Sequence, residues 1–71
     1  MNIKYFRLGI KNVMDIFNGF KIVDMDNDFI KNAIVELKNF ASDEIKKETD
    51  KNRLFFLHGL KYQCDKILLG L

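Results

Sequence analysis

Hydrophobic residues recur with helical spacing in three stretches of this 71-residue chain. The first stretch has intervals of three and four residues and contains Ile3, Phe6, Ile10, Val13, Phe17 and Phe20. Such spacing predicts a helix, which we expect to end at Asn18 and Gly19, a pair typical of a left-handed helix cap. Residues 20–23 would then form an extended connector. The same Asn-Gly pair is typical of a hairpin between residues 14–17 and 20–23, but an isolated hairpin is only marginally stable in water.

The second stretch, residues 28–48, carries one apolar face formed by Phe29, Ile30, Ala33, Ile34, Leu37, Phe40, Ala41 and Ile45. This spacing predicts a second helix. The acidic residues at 24–28 resemble the start of a calcium-binding loop, which needs Gly at its sixth position and Glu at its twelfth. Those positions hold Phe29 and Val35, so we expect Asp26 or Asn27 to cap the helix instead.

The third stretch, residues 54–71, has two apolar sides. One side is broad and contains Phe56, Leu57, Leu60, Cys64, Ile67, Leu68 and Leu71. The other contains Phe55, Tyr62 and Leu69, which lie seven residues apart. A helix that is apolar on two sides needs two neighbours or a partner from another molecule.

A turn at residues 49–52, with Asp50 or Asn52 capping the last helix, would separate the second and third helices. Neither Gly nor Pro occurs between Gly19 and Gly59. One continuous helix from 28 to 70 is therefore the alternative, and its core would form between chains.

The predicted fold is all-α, with residues 1–71 forming a single domain. Two long antiparallel helices carry the N-terminal helix packed across them, giving a three-helix bundle. A chain of this length buries only roughly 60% of its unfolded surface, so homo-oligomerisation could complete the core. One cysteine cannot form an internal disulfide, and Cys64 suits a reducing compartment. No secretory signal or membrane-spanning stretch is apparent, so we expect a cytoplasmic protein without a membrane partner.

The first and last segments of the chain are net basic, and the middle segment is net acidic. Residues 1–23 and 51–71 each carry four basic residues and one acidic residue, whereas residues 24–50 carry eight acidic and four basic residues. Lys4, Arg7 and Lys11 are spaced three and four residues apart and would share a helix face able to neutralise phosphates. Nucleic-acid binding through these residues is the alternative function. The net charge of +2 is too small to favour it by itself.

Catalytic chemistry has little support in this sequence. His58 has no Cys, Asp or Glu four residues away, and Cys64 lies about 120° around the helix from it. Ser42 and Thr49 lie in no nucleophile motif. We therefore expect a non-enzymatic protein with no cofactor and no metal site.

The prediction is a protein–protein interaction module that associates with itself or with another protein. Phe55, Tyr62 and Leu69 would form the contact, and Gly59 would allow a partner to approach closely. The alternative is that the last helix contacts both other helices, so that both of its apolar sides belong to the core.

The run Leu54-Phe55-Phe56-Leu57-His58-Gly59-Leu60-Lys61, followed by Ile67-Leu68, resembles the closing helix of small phage-encoded helical hairpin proteins. His58 stands where those proteins often have Arg. The resemblance implies a viral accessory or virion-associated protein, or an inhibitor of a host factor. It supplies no functional residues.

Overall fold

A computed structural model describes residues 3–71 as three helices: α1 (Ile3–Ile22), α2 (Asn27–Lys47) and α3 (Lys51–Gly70). The predicted all-α three-helix bundle is confirmed, and these residues contain no strand. Helix α3 packs against both α1 and α2, whereas α1 and α2 make only marginal contact with each other. The bundle is therefore organised around α3.

Helix α1 is longer than the sequence pattern predicted. It continues through Asn18 and Gly19 to Ile22, so the hairpin alternative between residues 14–17 and 20–23 is wrong. The expected extended connector is also wrong, because most of it is the last turn of α1. No backbone of positive φ occurs at Gly19.

The left-handed residue that ends α1 is Asp24, with φ of 57°. Its N–H donates to the carbonyl of Lys21 at 3.1 Å, and the N–H of Met25 donates to the carbonyl of Phe20 at 3.0 Å. These two bonds form a Schellman motif, which satisfies carbonyl groups that a helix end leaves without partners.

The chain leaves the helical conformation between α2 and α3 at residues 48–50. The alternative of one helix from 28 to 70 is therefore wrong. The predicted turn is confirmed in position but is shorter, since Lys51 and Asn52 already belong to α3.

The two helix starts are capped differently. Asp50 caps α3 as predicted, and its Oδ2 accepts from the backbone N–H of Arg53 at 3.0 Å. The Arg53 side chain also pairs with Glu48, with 2.7 Å between Nε and Oε2. Asp26 occupies the equivalent position before α2, but its side chain makes no capping hydrogen bond.

All three helices contribute to the core, and α3 contributes most. The buried apolar residues are Val13, Ile30, Ile34, Ala41, Leu57, Leu60, Cys64 and Ile67. The broad apolar side predicted for α3 is thus the core side. Only its last member, Leu71, is well exposed.

Two buried glycines, Gly9 of α1 and Gly59 of α3, allow these helices to touch through their backbones. A Cβ atom on Gly9 would lie against the carbonyl oxygen of Phe56 and 2.8 Å from the nitrogen of Leu60. A Cβ atom on Gly59 would lie against the carbonyl oxygen of Phe6 and 3.0 Å from its carbon. Gly9 lowers helix propensity by about 1 kcal/mol relative to Ala, but it permits this close crossing.

The helix directions follow from contacts along α3. The cleft that Tyr5 and Leu8 line is shared with Arg53, near the start of α3. Further along both helices, the Met14 sulfur accepts a hydrogen bond from Gln63 Nε2 at 2.9 Å. Helices α1 and α3 are therefore parallel, and the short connections at either end of α2 make it antiparallel to both.

Candidate partner-binding surface

The outer stripe (Phe55, Tyr62 and Leu69) lies on the side of α3 that faces away from the core. Leu69 is 89% exposed, Tyr62 is 43% exposed and Phe55 is half-buried. None of the three belongs to the buried core. The structure therefore leaves this side of α3 apolar and accessible, although α3 already contacts both other helices.

Tyr62 is held in place from two directions. The Phe6 ring of α1 lies 5.4 Å from the Tyr62 ring, centroid to centroid, with the planes inclined by 50°. The Lys66 ammonium lies 5.2 Å from the centroid of the same ring. These contacts limit the side-chain freedom of Tyr62 before any partner binds, which lowers the entropy lost on binding.

Gly59, predicted to lie in the same surface, is instead buried. The close approach expected there does occur, but with the backbone of Phe6 in the same chain. This part of the prediction is therefore wrong. Gly59 lies on the side of α3 that contacts α1, and not on the side that carries the outer stripe.

The alternative basic face is on α1. Lys4, Arg7 and Lys11 are all exposed. Lys11 pairs with Asp15, with 2.8 Å between Nζ and Oδ2, so part of the positive charge is neutralised on the surface. Nucleic-acid binding by this face stays a prediction.

Cys64 and His58 lie in different environments. Cys64 is fully buried, and burial raises the pKa of its thiol to about 11, with a smaller contribution from the Asp65 carboxylate. Because the thiolate is the nucleophilic form, Cys64 acts as an unreactive core side chain at neutral pH. His58 is exposed. Among residues 3–71, no group of three His, Cys, Asp or Glu residues is arranged to hold a metal ion.

Some exposed apolar residues were not predicted. Phe29 and Phe40 were assigned to the core face of α2, but they are 50% and 49% exposed. Both lie at one edge of that face, which is the signal that could have identified them. Ile22 and Val23, which belong to the predicted connector, are also largely exposed.

Comparisons of this chain with protein-family models, with curated proteins and with solved structures find no match. The resemblance of the closing helix to phage hairpin proteins therefore stays a prediction. Across residues 3–71, none of the helices combines the length and the apolar character needed to cross a membrane.

Proposed function

We propose that this chain is a non-catalytic protein–protein interaction module, which associates with itself and presents a helical surface to another protein. The observation that carries the proposal is the exposure of the outer stripe in the folded bundle. Both neighbours of α3 are in place, and Tyr62 and Leu69 remain exposed. Apolar surface of this kind, bordered by polar residues, is typical of protein interfaces.

The composition of the outer stripe supports the same function. Tyrosine is enriched among the residues that contribute most to binding energy, because it buries a large area with few rotatable bonds. Lys51, His58 and Lys66 are exposed on the same helix and border the stripe with polar groups. If the resemblance of the closing helix to phage proteins holds, the partner is a host or virion protein.

The test compares affinity purification of the tagged full chain from cells of its source organism with that of two double variants. Tyr62→Asp/Leu69→Asp adds two negative charges to the outer stripe at exposed positions, so the bundle should stay folded. Asn32→Asp/Asn39→Asp adds the same charge at exposed positions of α2 and serves as the control.

We expect a protein that co-purifies with the wild type and the control, and that is depleted roughly tenfold or more with the stripe variant. Circular dichroism checks that all three chains are folded. Equal recovery with the wild type and the stripe variant would contradict the proposal.

Nucleic-acid binding is the second candidate, favoured by the exposure of Lys4, Arg7 and Lys11 on one helix face. A titration with duplex DNA at increasing salt tests it, since phosphate contacts weaken steeply with salt concentration. Binding that is absent at low salt would exclude this candidate.

A further inference from the structure

Helix α2 carries an exposed acidic face, formed by Glu36, Phe40 and Asp43. Phe40 is 49% exposed, and both acidic residues are exposed as well. The Lys38 ammonium lies 2.6 Å from the Asp65 carboxylate of α3, so Lys38 marks the side of α2 that faces α3. Glu36 and Phe40 are each two residues from Lys38, which places them about 160° around the helix from it. The acidic face of α2 therefore points away from α3.

The outer stripe of α3 is bordered by basic residues. Tyr62 lies about 60° around the helix from Gly59, which contacts α1, and about 60° in the other direction from Asp65, which pairs with α2. The exposed polar residues on this arc of roughly 120° are Lys51, His58 and Lys66. No acidic residue of α3 lies between the two limits of the arc. The surface that carries the outer stripe is thus apolar and basic.

The two faces place their charges in the same way around one aromatic ring. On α2, Glu36 and Asp43 lie four residues before and three residues after Phe40. On α3, a histidine and a lysine lie four residues before and four residues after Tyr62. At 1.5 Å per residue, every flanking group is about 4.5–6 Å from its ring along the helix. When the Phe40 ring lies on the Tyr62 ring, each carboxylate comes within about 1.5 Å in height of a basic side chain, whichever way the helices run.

The flanking groups of both faces have no ionic partner of their own. Within residues 3–71, Glu36, Asp43, His58 and Lys66 take part in no ion pair. A contact between the two faces would therefore bring opposite charges together without breaking an existing salt bridge. Such complementarity favours one partner over others.

We propose that the acidic face of α2 in one copy of this chain docks on the outer stripe of α3 in the next copy. The acidic face points away from α3, which carries the outer stripe, so one pair of copies does not form both contacts. The contact is heterologous, and each pair leaves one face of each kind open to a further copy. Repetition then gives a ring or a linear chain of copies. One helix face against another is a small interface, below about 1,200 Å², so we expect weak association.

This inference rests on the proposed function, because it names a second copy as an occupant of the outer stripe. The stripe offers exposed apolar side chains and positive charge. It therefore selects a helix face that has an apolar centre and acidic flanks. Helix α2 presents such a face on every copy.

The first experiment blocks one face at a time. Phe40→Asp removes the ring of the acidic face, and Tyr62→Asp/Leu69→Asp places negative charge in the outer stripe. Sedimentation velocity from micromolar to millimolar concentrations measures the association of the wild type, of each variant and of their equimolar mixture. We expect the wild type to form species larger than a dimer as its concentration rises, and each variant alone to associate roughly tenfold or more weakly.

The mixture of the two variants distinguishes a heterologous contact from a symmetric one. Each variant keeps one intact face, so the mixture should form 1:1 dimers with an affinity within about threefold of the wild-type contact, and nothing larger. A mixture that stays monomeric would overturn the proposal. A Phe40→Asp variant that associates like the wild type would also overturn it, in favour of a symmetric contact between two outer stripes.

Asn12→Asp provides the control, because it adds one negative charge at an exposed position of α1 outside both faces. It should associate like the wild type. Circular dichroism checks that every variant is folded. If Asn12→Asp weakened association as much as Phe40→Asp does, the effect would be one of net charge and the proposed contact would be refuted.

The second experiment exchanges the charges. Glu36→Lys/Asp43→Lys makes the face of α2 basic, and His58→Glu/Lys66→Glu makes the border of the outer stripe acidic. Each double variant alone should associate roughly tenfold or more weakly than the wild type. A chain with all four changes reverses the sign of both faces and should recover an affinity within about threefold of the wild type. If that chain associates no better than the double variants, the proposed pairing is wrong.

This proposal and the proposed function can fail separately. Phe40 lies outside the outer stripe, so Phe40→Asp should leave the recovery of a cellular partner unchanged. A wild type that is monomeric at millimolar concentration overturns the self-association, and the proposed partner binding then depends on its own affinity purification.

Discussion

The crossing of α1 and α3 at Gly9 and Gly59 makes a quantitative prediction about stability. In Gly59→Ala, the new methyl group would meet the backbone of Phe6, with 3.0 Å to its carbonyl carbon and a still closer approach to its oxygen. Ordinary van der Waals contacts are about 3.5–4.0 Å. A backbone group cannot rotate aside as a side chain can, so the two helices must separate by about 1 Å.

Two opposing effects determine the size of the change. Alanine is favoured over glycine within a helix by about 1 kcal/mol. Overpacking of a tight contact costs about 1–3 kcal/mol, and because backbone atoms cannot rotate aside, the upper part of this range, about 2–3 kcal/mol, applies here. We therefore expect Gly59→Ala to lower the free energy of unfolding by about 1–2 kcal/mol. For a domain of this size, that lowers Tm by about 4–16 °C.

Gly19 provides the matched control, because it is also helical and a Cβ atom there meets nothing within 4 Å. Gly19→Ala should raise the free energy of unfolding by about 0.5–1 kcal/mol. Urea and thermal unfolding followed by circular dichroism measure all three chains. Since Gly9 and Gly59 share one crossing, Gly9→Ala/Gly59→Ala should cost less than the sum of the two single changes.

The reasoning would be refuted if Gly59→Ala stabilised the protein as much as Gly19→Ala does. That result would mean that α1 and α3 do not approach through their backbones. If Gly59→Ala lowered the free energy of unfolding but the double variant lost the sum of the two single changes, only the idea that Gly9 and Gly59 share one crossing would be refuted.

Two further predictions concern the cap of α3 and the buried thiol. Asp50→Ala should lower the free energy of unfolding by about 1 kcal/mol, because it removes the hydrogen bond to the Arg53 N–H. Asp26→Ala removes no such bond, so it should lower the free energy of unfolding by less than about 0.5 kcal/mol. Equal losses in urea unfolding would contradict this difference. The pKa of Cys64 is raised from 9.0 to about 11, so the folded chain holds its thiol proton where the unfolded chain releases it. Stability should therefore fall between pH 9 and 11, by on the order of 2 kcal/mol more in the wild type than in Cys64→Ala. Parallel pH profiles of the two chains would contradict that expectation.

The helices themselves could be predicted from apolar spacing, because each buries one face against the others. The residue at which α1 ends could not be predicted in this way. Asn18 and Gly19 are a strong local signal for a turn, but one more helical turn brings Phe20 against Phe29. The turn then forms at Asp24, a residue type that adopts positive φ less readily than glycine. Tertiary packing thus overrode local preference.

The exposed side of α3 could be predicted from periodicity, since Phe55, Tyr62 and Leu69 recur every seven residues. The burial of Gly59 at the α1–α3 contact could not be predicted, because the point at which two helices cross depends on their relative rotation and height.

The parallel course of α1 and α3 also determines how the chain ends can be used. Residue 3 and residue 71 lie at opposite ends of the bundle, separated by about the length of a 20-residue helix, or roughly 30 Å. A circular permutant that joins them would need a linker of at least about nine extended residues. Reporter domains fused to the two ends would stand on opposite poles of the molecule, so their separation would report directly on whether α1 stays docked.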